Sequence, residues 1–182
     1  MAIDLLMNPV TGERIEVLES APARFRARYA LGPHSAIPGA HFHPGKQQRI
    51  EVQSGLMHVR VNGAIHAIGA GESFTIPTGA SHYQWNETDV DTVAIEEISP
   101  AGRMHEFFAV LFQLARDGRT DSRGLPPPLI AAVLFHEFRD SIRHASWTMR
   151  MVMSALMPFG IAFGYRRMLG RHLDGRQLDQ RR

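Results

Sequence analysis

The chain has 182 residues, of which 44% are hydrophobic and 21% are charged. This is the composition of a folded globular protein, and it excludes wholesale disorder. The absence of cysteine excludes disulfide frameworks, thiolate metal sites and cysteine nucleophiles. The formal net charge is only +2, but residues 1–100 carry a net −4 and residues 101–182 a net +6.

The first residues and the longest apolar stretch indicate the cellular compartment to expect. Residues 1–9 contain no cationic segment of a signal peptide. The stretch Met151–Tyr165 is interrupted by proline and glycine, and it is shorter than the ~20 residues of a membrane span. We therefore expect a cytoplasmic protein.

The arginine-rich tail after residue 165 raises the question of a large anionic partner. We interpret it as a solvated helix end, and the sequence disfavours membrane contact. Peripheral attachment through residues 151–169 and the flanking arginines is the lesser alternative. No basic strand studded with aromatic residues and no recognition-helix pattern is present in the sequence, so no nucleic acid is expected as a partner.

From residue 13 to residue 98, short runs with alternating apolar residues are separated by glycine, proline and asparagine. This pattern is typical of an all-β sandwich or barrel. In residues 24–29, for example, arginine alternates with apolar residues. The pair Asn62-Gly63 predicts a β-hairpin, because a type I′ turn needs positive φ at both central residues.

After Ser99-Pro100 the apolar residues follow a helical spacing. Helices of this length are not stable in isolation, so we expect them to pack on the barrel or on a second subunit. The predicted organisation is a β-barrel at residues 1–100 and a bundle of three or four helices at residues 101–182. The predicted helices are one around 107–114 that ends at Gly118, one over 129–142, one from Ser146 that breaks or kinks at Pro158, and a short one over 159–169.

Two histidines one residue apart begin the chemically informative part of the sequence. His41 and His43 share one face of an extended strand. Neighbouring imidazoles are poor core filler unless their lone pairs are used, and a divalent metal uses them. Gln48 opens the next strand and has the same inward parity as Ile50, whereas Glu51, the nearest carboxylate, faces the other way.

A second block, residues 71–86, brings a third histidine. Pro77 and Gly79 predict a tight turn that returns His82 toward the barrel, with Gln84 and Asn86 at the same parity. A third imidazole from a distant strand would complete a facial set of metal ligands.

These two blocks resemble the two sequence motifs of the cupin superfamily, over about residues 10–99. The likeness is to small bacterial single-domain cupins, here with a C-terminal helical extension. In the first motif, the histidine pair is followed by a glutamate after three or four residues and by a glycine after six more. The matching residues are His41, His43 and Gly55 for the first motif and Gly71, Pro77, Gly79, His82 and Asn86 for the second.

The resemblance implies a mainly β fold, a jelly-roll barrel, with a metal held inside by His41, His43, Gln48 and His82. Iron, manganese, nickel, zinc and copper all occur in the family, and iron is the first choice. Gln48 stands where the family has glutamate. Its carbonyl oxygen can still bind a metal but carries no negative charge, so a pocket that binds a ligand without metal is the alternative.

A mostly apolar predicted lining favours a small hydrophobic organic substrate over a sugar phosphate. We expect a metal-dependent enzyme, a dioxygenase-like oxidoreductase first and an isomerase or cyclase second, with a non-catalytic small-ligand-binding cupin as the alternative. Because the exposed strand edges of jelly rolls often pair, a homodimer is expected. The residues predicted to line the pocket are Ile50, Val52, Phe74, Ile76 and Gln84.

Overall fold

The computed structural model describes residues 4–37 and 39–179. In these residues ten β-strands are followed by four α-helices, and an eleventh strand lies between the second and third helices. The strands are β1 (Asp4–Met7), β2 (Arg14–Ala21), β3 (Arg24–Leu31), β4 (His41–Phe42), β5 (Gln47–Ser54), β6 (Leu56–Val61), β7 (Ala64–Gly69), β8 (Ser73–Ile76), β9 (His82–Trp85), β10 (Thr92–Ser99) and β11 (Arg143–His144). The helices are α1 (Met104–Arg116), α2 (Pro128–Glu137), α3 (Trp147–Ala162) and α4 (Tyr165–Asp179).

The strands form two antiparallel sheets. One has the order β1-β2-β3-β10-β5-β8 and the other the order β11-β4-β9-β6-β7. The predicted hairpin joins β6 to β7, and Asn62 and Gly63 have φ of 48° and 95°, as a type I′ turn requires. The mainly β fold with a helical C-terminal part is confirmed.

Two hydrophobic cores hold these layers together. One lies between the sheets and includes Ile50, Val52 and Ile76. The other joins the inner face of β3 to the helices, and it contains Phe25 and Tyr29 together with α1 and α2 side chains. Because helical and strand residues share this second core, the helices close one end of the barrel.

The boundaries of the second, third and last helices differ from the predicted ones. The second helix ends at Glu137 rather than near residue 142, because the chain must become extended at Arg143 and His144 to pair with β4. The third helix continues through Pro158 to Ala162, where a break or kink was predicted. Pro158 and Ser154 are both exposed, so water can bond the carbonyl that loses its helical partner.

Two predicted helix-end signals agree with the structure. Gly118 follows the first helix with φ of 66° and donates its N–H to the Ala115 carbonyl. The Ser146 hydroxyl caps the third helix by accepting from the Met149 N–H. The last helix begins at Tyr165 instead of residue 159. In the part of the chain that the structure describes, no helix is both long enough and apolar enough to cross a membrane.

Candidate metal centre and adjoining cavity

Three imidazoles converge inside the barrel. His41 on β4 is the direct register partner of His82 on β9, and His43 follows two residues after His41. The ring centroids are 4.3 Å apart for His41 and His82, and 5.1–5.2 Å apart for the other two pairs. One nitrogen from each ring lies within 4.8 Å of the others, which is a spacing that one metal ion can bridge.

Each of these rings is oriented by a hydrogen bond to a backbone carbonyl. A carbonyl oxygen only accepts, so the Nδ1 atom of each ring must carry the proton, and Nε2 is left with a free lone pair. This arrangement is the usual support of a metal-binding histidine. The bonds run from His41 to Gly39 (3.1 Å), from His43 to Ser141 (2.8 Å) and from His82 to Ala80 (3.0 Å).

Burial keeps these histidines neutral. It is the main cause that lowers the pKa of His41 well below its ordinary value, with further lowering by His82 and His43. Burial, and then the neighbouring His82, lowers the pKa of His43 to about 4. Burial also lowers the pKa of His82. Neutral imidazoles offer lone pairs to a metal at physiological pH without first losing a proton.

Gln48 points into the barrel as predicted, and it is 3% exposed. Its Nε2 donates to Oε2 of Glu96 over 2.6 Å. Gln84, on β9, donates its own Nε2 to the other oxygen of the same carboxylate over 2.9 Å. Glu96 therefore fixes the orientation of two buried amides, and each amide presents its Oε1 away from the carboxylate.

Glu96 is a site residue that the sequence reasoning missed. It is 2% exposed, and burial raises its pKa to about 7 against the opposing effect of the two amide hydrogen bonds. Ala94, Glu96 and Ile98 are buried at alternate positions of β10, but Ile95 between them is buried as well, so alternation alone does not reveal the inward face in the sequence.

The residues present fit a divalent metal. The Nε2 of His82 and the Oε1 of Gln48 are buried and have no hydrogen-bond partner among the described residues. A buried polar atom left in this state costs about 1–3 kcal/mol, and a metal ion would satisfy both atoms. Three imidazole nitrogens and an amide oxygen form a neutral donor set of the kind that borderline divalent metals accept.

A cavity adjoins the histidine cluster. Its volume is about 60 Å³, and it shares His41, His43 and Gln48 with the candidate metal centre. Its apolar walls come from strands, from helices and from the segment before α2. These apolar residues are Ile37, Ile98, Phe107, Phe108, Leu111, Leu125, Pro126, Phe135 and Ile142.

Three further polar groups, from Tyr29, Gln84 and Glu13, lie in the cavity wall. The hydroxyl of Tyr29 is buried with no hydrogen-bond partner among the described residues, and so is the Oε1 of Gln84. Burial, followed by the charge of Glu96, raises the pKa of Glu13 to about 8. Burial is also the main cause that raises the pKa of Tyr29 well above its ordinary value. The cavity thus offers a phenol, an amide oxygen and a carboxyl within an otherwise apolar surface.

The lining of this cavity differs from the predicted one. Of the five residues proposed from the sequence, Gln84 lines it. Ile50, Val52 and Ile76 are packed in the core between the sheets, and Phe74 is half-buried against His66, with ring centroids 4.4 Å apart. The cavity lies toward the helical end of the barrel, so α1 and the segment before α2 supply walls that strand parity alone does not reveal.

Comparison with known proteins places these observations in a family. The sequence model for the cupin domain matches residues 27–96, a range that contains all three histidines, Gln48 and Glu96. A search of curated proteins finds no match.

Part of the chain is also similar to several solved structures. An RmlC-like cupin from Shewanella frigidimarina NCIMB 400 is 21% identical, with 57% of this chain and 88% of that chain covered and a TM-score of 0.49. A cupin-superfamily sugar phosphate isomerase from Silicibacter pomeroyi is 16% identical, with coverages of 54% and 71% and a TM-score of 0.49. A predicted oxalate decarboxylase from Thermotoga maritima is 25% identical, with coverages of 54% and 98% and a TM-score of 0.46.

Both sequence motifs, the two facing antiparallel sheets and the match to the family model lead to the same assignment. Residues 27–96 match the family model of the cupin domain, and this match supports the resemblance of this part of the chain to the cupin superfamily.

Proposed function

We propose that this protein is a metal-dependent cupin enzyme that acts on a small, largely apolar organic molecule bearing a hydroxyl or enol group. One observation carries the proposal. Three imidazoles, each bonded at Nδ1 to a backbone carbonyl, bring one nitrogen each within 4.8 Å of the others beside an apolar cavity.

The residues that would hold the metal are His41, His43 and His82 through Nε2 and Gln48 through Oε1. A bound divalent metal, iron as the first choice, would act as a Lewis acid on a substrate oxygen or take part in oxygen chemistry. Because the four proposed ligands are neutral, they would not reduce the charge of such an ion, and the Glu96 carboxyl group is hydrogen-bonded to Gln48.

The cavity supports the proposed substrate class. Its apolar walls suit a hydrocarbon skeleton, and its volume of about 60 Å³ is small beside the ~300–1,000 Å³ of ordinary ligand clefts. The unpartnered Tyr29 hydroxyl can donate a hydrogen bond, and the unpartnered Gln84 Oε1 can accept one. A single hydroxyl or enol group on the substrate can satisfy both.

Glu13 supports proton transfer as the chemistry. It lines the same cavity, and with a pKa raised to about 8 its carboxyl holds a proton at neutral pH. A protonated carboxyl in an apolar cavity can deliver its proton to a substrate oxygen or carbon. This favours an isomerase or cyclase over a dioxygenase-like oxidoreductase, the first choice from the sequence.

The activity test uses the full chain loaded with iron, manganese or zinc and a panel of small enols, phenols and hydroxyketones. Deuterium incorporation from D₂O, followed by NMR, reports proton transfer, and an oxygen electrode reports oxidation. We expect metal-dependent deuterium exchange without oxygen uptake. Oxygen uptake instead would assign the dioxygenase-like reaction. His82→Ala should abolish turnover, whereas the exposed His34, which faces Asp89 on the surface, provides the matched control His34→Ala.

A second candidate is a non-catalytic cupin that binds a small ligand without turnover. The observation that favours it is Gln48, an uncharged amide where the family has an acidic ligand. In that case ligand binding would persist in His82→Ala, because the metal would play no part. Binding of the same panel, measured by thermal shift on the native protein and this variant, separates the two candidates.

A further inference from the structure

The outward side of α3 is apolar and uncovered. Of its sixteen residues only Gly160 is buried, and an added Cβ there would lie 2.6 Å from Val133 Cγ2 and 2.7 Å from the Leu129 carbonyl, so that side is pressed against α2. We define the α3 outer face by Trp147, Met151, Val152, Phe159 and Phe163. Their exposed fractions are 64%, 53%, 51%, 61% and 71%.

Three of these residues share one side of the helix. Val152, Phe159 and Phe163 are separated by seven and four residues, so they form one stripe along α3. Trp147 and Met151 lie nearer to α2, where they line a surface pocket with Phe135. Single exposed apolar residues are ordinary, but a large exposed apolar patch marks a surface that binds a partner. The helix itself carries one charged residue, Arg150.

The charged residues within and after α3 are mostly positive. Residues 143–173 contain five arginines and no aspartate or glutamate. Carboxylates of the preceding segment reach two of these arginines: Glu137 lies 2.8 Å from Arg166, and Asp140 lies 4.0 Å from Arg143. Arg167 and Arg171 are exposed and belong to α4, the helix that follows α3 in the sequence.

The exposed apolar residues and the arginines together indicate the class of partner. A second copy of this chain would bring two arginine-flanked faces together, and residues 143–173 of that copy would supply no carboxylate. An anionic phospholipid surface offers hydrocarbon for Trp147, Phe159 and Phe163 and phosphate for the arginines. At sixteen residues, the helix is too short to span a bilayer but suited to lie in its interface.

We propose that the α3 outer face binds the surface of an anionic phospholipid membrane, with α3 parallel to the bilayer. The sequence disfavoured membrane contact because the arginines were interpreted as a solvated helix end. The exposure of the apolar stripe beside them is the additional observation. This proposal does not depend on the proposed enzymatic function, and neither one fails with the other.

The experiment is vesicle co-sedimentation of the full chain at low salt, with vesicles of phosphatidylcholine alone or with 3 parts in 10 of phosphatidylglycerol. We expect binding to the anionic vesicles only. Arg167→Gln/Arg171→Gln should weaken it about thirtyfold, at about fivefold for each arginine near an anionic surface. Phe159→Ser/Phe163→Ser should abolish it. Ile65→Ser, which alters an exposed apolar residue on β7 (56% exposed), should bind as the native chain does.

Fluorescence gives an independent readout. The chain has two tryptophans, so in Trp85→Phe the emission comes from Trp147 alone and should shift to the blue on binding. Circular dichroism verifies that each variant is folded. The proposal is overturned if the native chain does not sediment with anionic vesicles, including the case in which it elutes as a dimer. It is also overturned if the Phe159/Phe163 variant, shown to be folded, binds undiminished.

Discussion

The Nε2 atom of Gln48 donates a hydrogen bond to Oε2 of Glu96 over 2.6 Å, inside the barrel and beside three histidines. In the cupin motif that these residues resemble, a glutamate stands at the position of Gln48. Here that position holds an amide, and a carboxyl group is hydrogen-bonded to it. Gln48 keeps the oxygen that faces the site, and Glu96 keeps the negative charge. Glu96 therefore acts as a positioning residue for the candidate ligand set.

Replacement of Glu96 by glutamine should weaken metal binding. A glutamine at position 96 can accept through one atom only, so either Gln48 or Gln84 loses its partner and Gln48 is no longer fixed. Loss of a residue that holds a metal ligand in its orientation lowers metal affinity about 10–100-fold. Isothermal titration with Zn²⁺ or Mn²⁺ measures this effect. The matched control is Glu97→Gln on the neighbouring, half-exposed position, which should leave the affinity unchanged.

Gln48→Glu should lower the stability of the metal-free protein and raise its affinity for metal. The new carboxylate would lie against Glu96, so the metal-free variant should lose about 2 kcal/mol or more in its free energy of unfolding. Added metal should raise its melting temperature more than that of the native protein. The double variant Gln48→Glu/Glu96→Gln restores a carboxylate–amide pair and should recover the metal-free stability. Equal melting temperatures for the native protein and Gln48→Glu, both in chelator, would argue against the contact.

Glu13 should make stability depend on pH. Its pKa is about 8 in the folded protein against an ordinary value of 4.5, so between these pH values the folded state binds more protons than the unfolded state. The free energy of unfolding should therefore fall as pH rises from 5 to 8, by at most about 1.4 kcal/mol per pH unit from this group.

Glu13→Gln removes the titrating group, so its stability relative to the native protein should improve steadily over that range. Urea unfolding in chelator at pH 5, 6.5 and 8 measures the difference. Glu16→Gln, at a half-buried position where the side chain pairs with Arg28, is the control and should show no such trend. A constant difference for Glu13→Gln across the three pH values would contradict the assigned environment.

Gly160→Ala should separate α2 from α3. The added Cβ would meet a backbone carbonyl at 2.7 Å, which cannot yield as a flexible side chain can, and overpacking of this kind costs about 1–3 kcal/mol. Gly170, in α4, has no atom within 4 Å of an added Cβ. Gly170→Ala should therefore be neutral or slightly stabilising. Thermal unfolding of the two variants side by side makes the comparison.

The sequence predicts correctly those structural features that depend on residues close to one another in the chain. The alternation of Gln48, Ile50 and Val52 predicts an inward face that the structure has, and Asn62-Gly63 predicts its hairpin because the turn geometry depends on those two residues. The helix stop at Gly118 is local in the same sense. In each case the deciding interaction spans only a few residues.

The missing parts of the site depend on long-range packing. His43 is oriented by the carbonyl of Ser141, 98 residues away, and α1 supplies Phe107 and Phe108 to the cavity. Glu96 was missed for a further reason. β10 has a register irregularity between Val93 and Ala94, and Ala94, Ile95 and Glu96 are all buried, so simple alternation does not identify its inward face.

Whether His41, His43 and His82 hold a metal is tested most directly by the metal content of the native protein. The protein is purified without a polyhistidine tag and measured by elemental mass spectrometry. We predict close to one equivalent of a divalent transition metal per chain, lost in His82→Ala and retained in His34→Ala. A native protein that contains no metal, and whose melting temperature does not change when divalent metals are added, would show that these histidines do not hold a metal. The cavity would then be assigned to a ligand that binds without metal.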